Sequence, residues 1–118
     1  MARTVLIADD DELVRDILWR NLAELGFEVA QASNGQEAVD QVGATEFDLV
    51  ILDYSMPGMS GPAAAQAIRL QRPGQKLLLI SGYAGTGAVK TATGDIPMLG
   101  KPFRLEQLRD AVEGALAA

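Results

Sequence analysis

Five short apolar runs, separated by longer amphipathic or small-residue stretches, constrain the fold of this chain more than any other feature. The run at 48–53 is apolar throughout its middle, as expected of a central parallel strand that is buried on both faces. Strands that alternate with helical segments are typical of a parallel sheet wrapped by helices. We therefore predict an α/β fold of five βα units, with strands at residues 4–9, 27–32, 48–53, 76–81 and 97–100.

The first and last helices are predicted from apolar residues that recur at helical spacing. Residues 12–25 form the first helix, which ends at Gly26 and carries on one side Leu13, Ile17, Leu18 and Leu22. Residues 105–116 form the last, whose apolar positions are Leu105, Leu108, Val112 and Leu116. Each helix is expected to cover the sheet with its apolar side.

The middle helices are predicted mainly from their start signals. Asn34 is an expected N-cap, with Glu37 three residues later, for a helix that reaches about residue 42. Ser60 and Pro62 begin the next helix, and a Pro-Gly pair ends it. Glycines and threonines make residues 84–94 a poor helix former, so we expect a short or mobile helix there.

Composition excludes several classes of function. The chain has 118 residues and is 48% hydrophobic, which suits one domain over residues 1–118. Without cysteine or histidine it can form no disulfide, no thiolate or imidazole metal site and no histidine-based triad. A net charge of -6 disfavours direct binding to nucleic acid. No apolar run approaches the ~20 residues that cross a bilayer, so we expect a cytoplasmic protein without a membrane segment.

Three carboxylates stand where predicted strands end. Asp9 and Asp10 follow the first strand, and Asp53 ends the third. If those strands are parallel neighbours, the acids meet at the carboxyl edge of the sheet and repel one another unless a cation joins them. A divalent metal with open coordination positions would suit phosphate chemistry there. As structural alternatives, Asp53 would cap its turn, and Asp10, Asp11 and Glu12 would cap the following helix and oppose its dipole. For Asp11 we expect only this capping role.

Two further polar residues follow the fourth and fifth strands. Ser81 offers a hydroxyl, and Lys101 offers an ammonium that can reach a phosphoryl oxygen. The ordinary alternative for Lys101 is a solvated loop lysine. The Lys101-Pro102 bond is also a candidate cis peptide. The acids, the hydroxyl and the ammonium at four strand ends together favour a single phosphate-handling site.

The chain resembles, from end to end, the receiver domain of two-component response regulators. The motifs that carry the resemblance are VLIADDDELVR, DLVILDYSMPGMSG, LLLISGYA and LGKPF. The resemblance implies a flavodoxin-like, three-layer (βα)5 doubly wound parallel sheet with strand order 2-1-3-4-5. The segment around SGYA is more similar to receivers that stand alone or belong to hybrid kinases than to those with a DNA-binding output.

The resemblance also implies roles for individual residues. Asp53 would accept a phosphoryl group from the phosphohistidine of a sensor kinase or phosphotransfer protein, which fits a chain that has no histidine of its own. Asp10, Asp53 and the Ser55 carbonyl would bind Mg²⁺, or alternatively Mn²⁺, while Asp9 would act through a water. Lys101 and the Ser81 hydroxyl would bind the phosphoryl oxygens. A monomer or weak dimer that switches a protein-binding surface is expected, with no separate substrate turned over.

Two other functions remain to be weighed against a receiver. A metal-dependent phosphatase with an aspartyl-phosphate intermediate would need an acid two residues after Asp53, where Ser55 stands. A flavodoxin-like flavin binder would need a phosphate-binding loop after the first strand, where acids would repel a phosphate. The chain departs from the receiver pattern at Met98, where an aromatic residue is usual. Tyr83 is a candidate to take part of that role; the alternative, which we favour, is a surface aromatic at the rim of the site.

Overall fold

Parallel strands build the centre of the molecule in a computed structural model that describes residues 3–82 and 96–117. The strands pair in the order β2-β1-β3-β4-β5, and every pairing is parallel. This confirms the predicted α/β fold and its 2-1-3-4-5 order. The strands are β1 (Thr4–Ala8), β2 (Glu28–Ala32), β3 (Leu49–Asp53), β4 (Leu77–Ser81) and β5 (Met98–Gly100).

Four helices are present in the described part of the chain: α1 (Glu12–Glu24), α2 (Gly35–Ala44), α3 (Gly61–Gln71) and α4 (Leu105–Ala117). Three begin at the side-chain caps that their sequences favour, namely Asp11, Asn34 and Ser60. Gly26 follows α1 with φ 96°, a conformation that glycine adopts without a steric penalty. Over the described ranges, every helix is too short or too polar to span a bilayer.

The helices cover both faces of the sheet and make three layers. Side chains of α2 and α3 pack on one face with Leu6, Val50 and Leu79. Side chains of α1 and α4 pack on the other face with Ile7 and Ile51. Because β1, β3 and β4 are buried on both faces, their sequences are continuous apolar runs without a polar alternation.

The predicted boundaries need small corrections, and one predicted helix face needs a larger one. Several strands begin or end one residue inside the predicted range, and Pro62 is the second residue of α3. Leu18 and Leu22 are buried as predicted, but Leu13 is 67% and Ile17 is 46% exposed. The core side of α1 is therefore centred on Leu18 and Leu22. The predicted short or mobile helix at 84–94 lies outside the described residues.

A close backbone approach joins β3 to α3 and sets the path of the chain beside Asp53. The N–H of Gly61 donates to the carbonyl of Tyr54 at 2.9 Å. A Cβ atom at residue 61 would collide with the backbone oxygen of Asp53 and lie 2.9 Å from a methyl carbon of Leu79. Only glycine fits this position without displacing the strand end.

Gly61→Ala should therefore lower the free energy of unfolding by about 1–3 kcal/mol, the usual effect of overpacking a core. Chemical denaturation monitored by circular dichroism measures this change. Gly114→Ala in α4 is the matched control, because a Cβ there meets no atom within 4 Å. It should raise stability by roughly 0.5–1 kcal/mol through helix propensity. Equal effects of the two substitutions would contradict the collision.

Candidate functional site

The ends of four adjacent strands bring the predicted site residues to one edge of the sheet. Asp9 follows β1, Asp53 ends β3, Ser81 ends β4 and Lys101 follows β5. Backbone bonds continue beyond the strands, since the Lys101 N–H donates to the Ser81 carbonyl at 2.9 Å. The site is thus held by the same ladder that holds the sheet.

The three acids form a cluster of oxygen atoms. One carboxylate oxygen each from Asp9, Asp10 and Asp53 lies within 4.8 Å of the other two. Asp9 is 1% and Asp53 is 8% exposed, whereas Asp10 faces solvent. An all-oxygen donor set that is open on one side fits the requirements of Mg²⁺, which keeps several water ligands.

Asp11, rather than Asp9 or Asp10, caps the following helix. Its carboxylate accepts the N–H groups of Leu13 and Val14. The capping alternative therefore applies to Asp11 and leaves Asp10 available to the cluster. Within the described residues, the Asp53 carboxylate accepts no backbone N–H, so it does not cap its own turn.

Lys101 supplies the positive charge of the site. Its Nζ donates to Asp53 Oδ1 at 2.8 Å and to Asp9 Oδ2 at 3.4 Å. The solvated-loop alternative for Lys101 is wrong, because the side chain is only 28% exposed and bridges two buried acids. The Lys101-Pro102 peptide bond is cis, which confirms that prediction.

Burial and like charge act on the Asp53 carboxyl group in the same direction. Burial raises the pKa of Asp53; the hydrogen bond from Lys101 opposes this shift, and the charge of Asp9 adds to it. Burial alone would lower the pKa of Lys101, but its hydrogen bond to Asp53 and the charge of Asp9 raise it above the ordinary value. The pKa of Asp53 is thus raised mainly by its burial, and the pKa of Lys101 is raised because its ammonium faces two carboxylates.

A cleft of about 410 Å³ opens over Asp53 and Lys101 and is also lined by Tyr54, Ser55, Ser81 and Gly82. Ser81 is buried, and Ser55 is exposed at the mouth. A larger cleft of about 700 Å³ lies at the opposite edge of the sheet, where the strands begin, and is lined by Thr4, Asp48 and Lys76 among others. The carboxyl edge is the functional candidate because the acid cluster and its ammonium lie there.

Arg15 is a site neighbour that the sequence analysis missed. Its guanidinium Nη1 donates to the backbone carbonyl of Asp9 at 2.7 Å. The available signal was an arginine in the early part of a helix that follows an acid pair, because helical side chains point back toward the N-terminus. Met98 is half-buried against the core on the α2 and α3 face, while Tyr83 lies outside the described residues.

Comparison with known proteins identifies the family. The sequence profile of the response regulator receiver domain matches residues 5–113. This chain belongs to that family. The resemblance found in its sequence motifs is thereby confirmed, and receiver domains are phosphoacceptor signalling domains that bind Mg²⁺ at an acidic pocket and interact with histidine kinases or phosphotransfer proteins.

Individual relatives agree with the receiver assignment. The sensor kinase CckA of Brucella abortus is 35% identical, over 96% of this chain and 12% of its own length. The chemotaxis protein CheY4 of Vibrio cholerae is 28% identical with a TM-score of 0.89, over 98% of this receiver and 99% of that chain. The response regulator TrrA of Thermotoga maritima, solved in complex with Mg²⁺-BeF, is 31% identical with a TM-score of 0.85, over 96% and 98% of the two chains.

Several curated relatives are much longer than this receiver. The chain spans between 12% and 31% of the length of three of them, which include a cyclic di-GMP phosphodiesterase and a transcriptional regulator. Most of each relative lies outside the matched region, so its whole-protein activity is a property of that relative. The comparisons give no support to the phosphatase alternative.

Asp53→Asn should raise the melting temperature of the metal-free protein at neutral pH. Because the folded pKa of Asp53 lies above its unfolded value, the protonated carboxyl stabilises the fold at low pH, and this contribution is lost as the pH rises through the folded pKa. The neutral amide avoids that loss, so its advantage should shrink on acidification below the ordinary aspartate pKa.

Thermal melts in a metal chelator across a pH series measure this difference. Asp110→Asn, which changes an exposed carboxylate of α4, is the control and should melt like the wild type. A lower melting temperature for Asp53→Asn at neutral pH would contradict this prediction. It would mean that the hydrogen bond between Lys101 and the Asp53 carboxylate stabilises the fold by more than burial of that charge destabilises it.

Proposed function

We propose that Asp53 is the phosphoacceptor of this receiver and takes its phosphoryl group from the phosphohistidine of a sensor kinase or phosphotransfer protein. The observation that carries the proposal is the bridge from Lys101 Nζ to Asp53 and Asp9, at 2.8 and 3.4 Å, beside an acid cluster open to solvent. These 118 residues contain no histidine, so the donor imidazole lies outside this receiver domain.

Mg²⁺ would be held by the carboxylates of Asp10 and Asp53 and the backbone carbonyl of Ser55, with Asp9 acting through a water. Mn²⁺, which takes similar oxygen ligands, is the alternative ion. The bound ion would neutralise negative charge on the phosphoryl oxygens. Asp9 suits an indirect role because its Oδ1 already accepts the Asp11 N–H at 2.9 Å, and its Oδ2 faces Lys101.

In the transfer step, an oxygen of Asp53 forms a bond to phosphorus as the bond from phosphorus to the donor imidazole nitrogen breaks. The electron pair of that bond stays on the nitrogen, which takes a proton from solvent, and Asp53 becomes an acyl phosphate. Lys101 then pairs with a phosphoryl oxygen in place of the carboxylate, and the Ser81 hydroxyl contacts another. Positioning and charge neutralisation are the main demands of phosphoryl transfer.

A phosphoacceptor role fits the site better than turnover of a separate substrate. The residue two positions after Asp53 is Ser55, which cannot protonate a leaving group as a carboxylic acid does. The described site therefore lacks, at that position, the general acid that a phosphatase of this type needs. Phosphorylation of Asp53 would instead change the partner-binding surface of the receiver.

Leu13 and Ile17, which we name the α1 patch, are the proposed docking surface for the donor protein. They are exposed on α1, which begins two residues after Asp10. Removal of exposed apolar side chains from water by a partner is favourable and stabilises the complex. Asp11 and Glu12 beside the patch are exposed acids. The phosphohistidine domain that fits has an apolar face flanked by basic side chains.

Asp53→Asn should abolish labelling by a small-molecule phosphodonor in the presence of Mg²⁺, because the amide is not a phosphoryl acceptor. Intact-mass spectrometry after incubation with acetyl phosphate measures the adduct, and a chelator should also abolish it in the wild type. Asp40→Asn, which changes an exposed residue of α2, should label normally. Labelling that survives Asp53→Asn would assign the phosphoryl group to another residue.

Replacing both residues of the α1 patch with glutamine should slow phosphoryl transfer from a phosphorylated kinase domain by about tenfold, equivalent to ~1.4 kcal/mol of lost binding. Labelling by acetyl phosphate should not change, because the acid cluster is untouched. Leu70→Gln is the matched control, since Leu70 is 84% exposed on α3.

Rapid-quench transfer assays would use the phosphorylated kinase domain that labels the wild type fastest among those of the host. Equal slowing by Leu70→Gln, or no slowing by the double substitution, would remove the α1 patch from donor docking.

A further inference from the structure

The peptide group between Asp9 and Asp10 joins the two acids that follow β1, and three hydrogen bonds hold Asp9, one of them on the oxygen of this peptide. The Asp9 N–H donates to the Ala32 carbonyl at 3.2 Å, and Asp9 Oδ1 accepts the Asp11 N–H at 2.9 Å. On the far side of the same residue, the Asp9 carbonyl oxygen accepts Arg15 Nη1 at 2.7 Å. This last bond is the shortest of the three, and its donor is charged.

Asp10 depends on this peptide more than its neighbours do. Its exposed carboxylate makes no hydrogen bond or ion pair with another residue in the described ranges. Asp9 and Asp53, by contrast, are fixed by Lys101. The direction of the Asp10 side chain is therefore set by its backbone, and the oxygen of the preceding peptide is bound by Arg15.

We propose that Arg15 is a positioning residue for the metal site, acting through the Asp9-Asp10 peptide to hold the Asp10 carboxylate beside Asp53. Arg15 lies in the first turns of α1, is half-buried, and reaches back over the helix N-terminus to the end of β1. The inference rests on the proposed Mg²⁺-dependent phosphorylation of Asp53. Residues that orient metal ligands commonly change metal affinity tenfold or more when they are replaced.

A positioning role and a purely electrostatic role of Arg15 predict opposite changes in Mg²⁺ affinity when the arginine is replaced. As a cation near the cluster, Arg15 repels Mg²⁺, so its removal would tighten binding if charge were its only contribution. As a positioning residue, its removal frees the Asp9-Asp10 peptide and weakens binding. The sign of the change in Mg²⁺ affinity therefore separates the two explanations.

The experiment compares wild type, Arg15→Met and Arg20→Met by isothermal titration with Mg²⁺. Methionine keeps the apolar stem of the arginine side chain but loses the donor and the charge. Arg20 is on the same helix and pairs with Asp16 at 3.1 Å, so Arg20→Met makes the same charge change without touching Asp9. Arg15→Gln, a polar side chain that is too short for the same bond, is a second test variant if Arg15→Met does not fold.

We expect about tenfold weaker Mg²⁺ binding for the Arg15 variant and wild-type binding for Arg20→Met. In the metal-free protein, the Asp9 carbonyl carbon and Asp10 amide resonances should move in the Arg15 variant alone. The rate of acetyl phosphate labelling should fall at low Mg²⁺ and return to the wild-type value at saturating Mg²⁺.

Unchanged or tighter Mg²⁺ binding in a folded Arg15 variant would overturn the inference. If the wild type nevertheless binds Mg²⁺ and is labelled on Asp53, the proposed function stands and only the role of Arg15 is lost. A wild type that binds no Mg²⁺ would overturn both.

Discussion

Repulsion among three carboxylates, opposed by one ammonium, is the constraint on which the rest of this structure depends. Parallel strands end at the same edge, so the topology that buries β1 and β3 also brings Asp9, Asp10 and Asp53 together. Lys101 arrives from β5 and bridges two of the acids. One ammonium cannot balance three carboxylates, and burial raises the pKa of Asp53. A site with excess negative charge and open oxygen ligands is one that a divalent cation stabilises.

Much of the fold and the members of the site could be predicted from the sequence because both depend on where strands end. A continuous apolar run locates a central strand, and the polar residue that follows it must lie at the sheet edge. This reasoning located Asp53 at the end of β3 and Lys101 after β5, and in the structure Lys101 Nζ lies 2.8 Å from Asp53 Oδ1. The order of the strands came from the family motifs, since hydrophobic pattern alone does not specify which strands pair.

Other features could not be predicted because they depend on tertiary packing. The apolar residues of α1 extend around more of the helix surface than the core covers. Periodicity cannot show where contact between the helix and the sheet ends, so Leu13 was wrongly assigned to the side that packs on the sheet. The bond of Arg15 to Asp9 depends on a rotamer, which sequence does not specify.

The ion pair between Lys101 and Asp53 links the site to the edge of the sheet. Strand β5 has three residues, each half-buried, and within the described chain it pairs only with β4. Lys101 follows it directly, so the bond to Asp53 ties this short strand to the buried centre. If Asp53 accepts a phosphoryl group as proposed, the ammonium exchanges a carboxylate partner for a phosphoryl oxygen at a different position. That exchange would act on β5, the shortest strand of the described sheet, and Met98 at its start packs against the core on the α2 and α3 face.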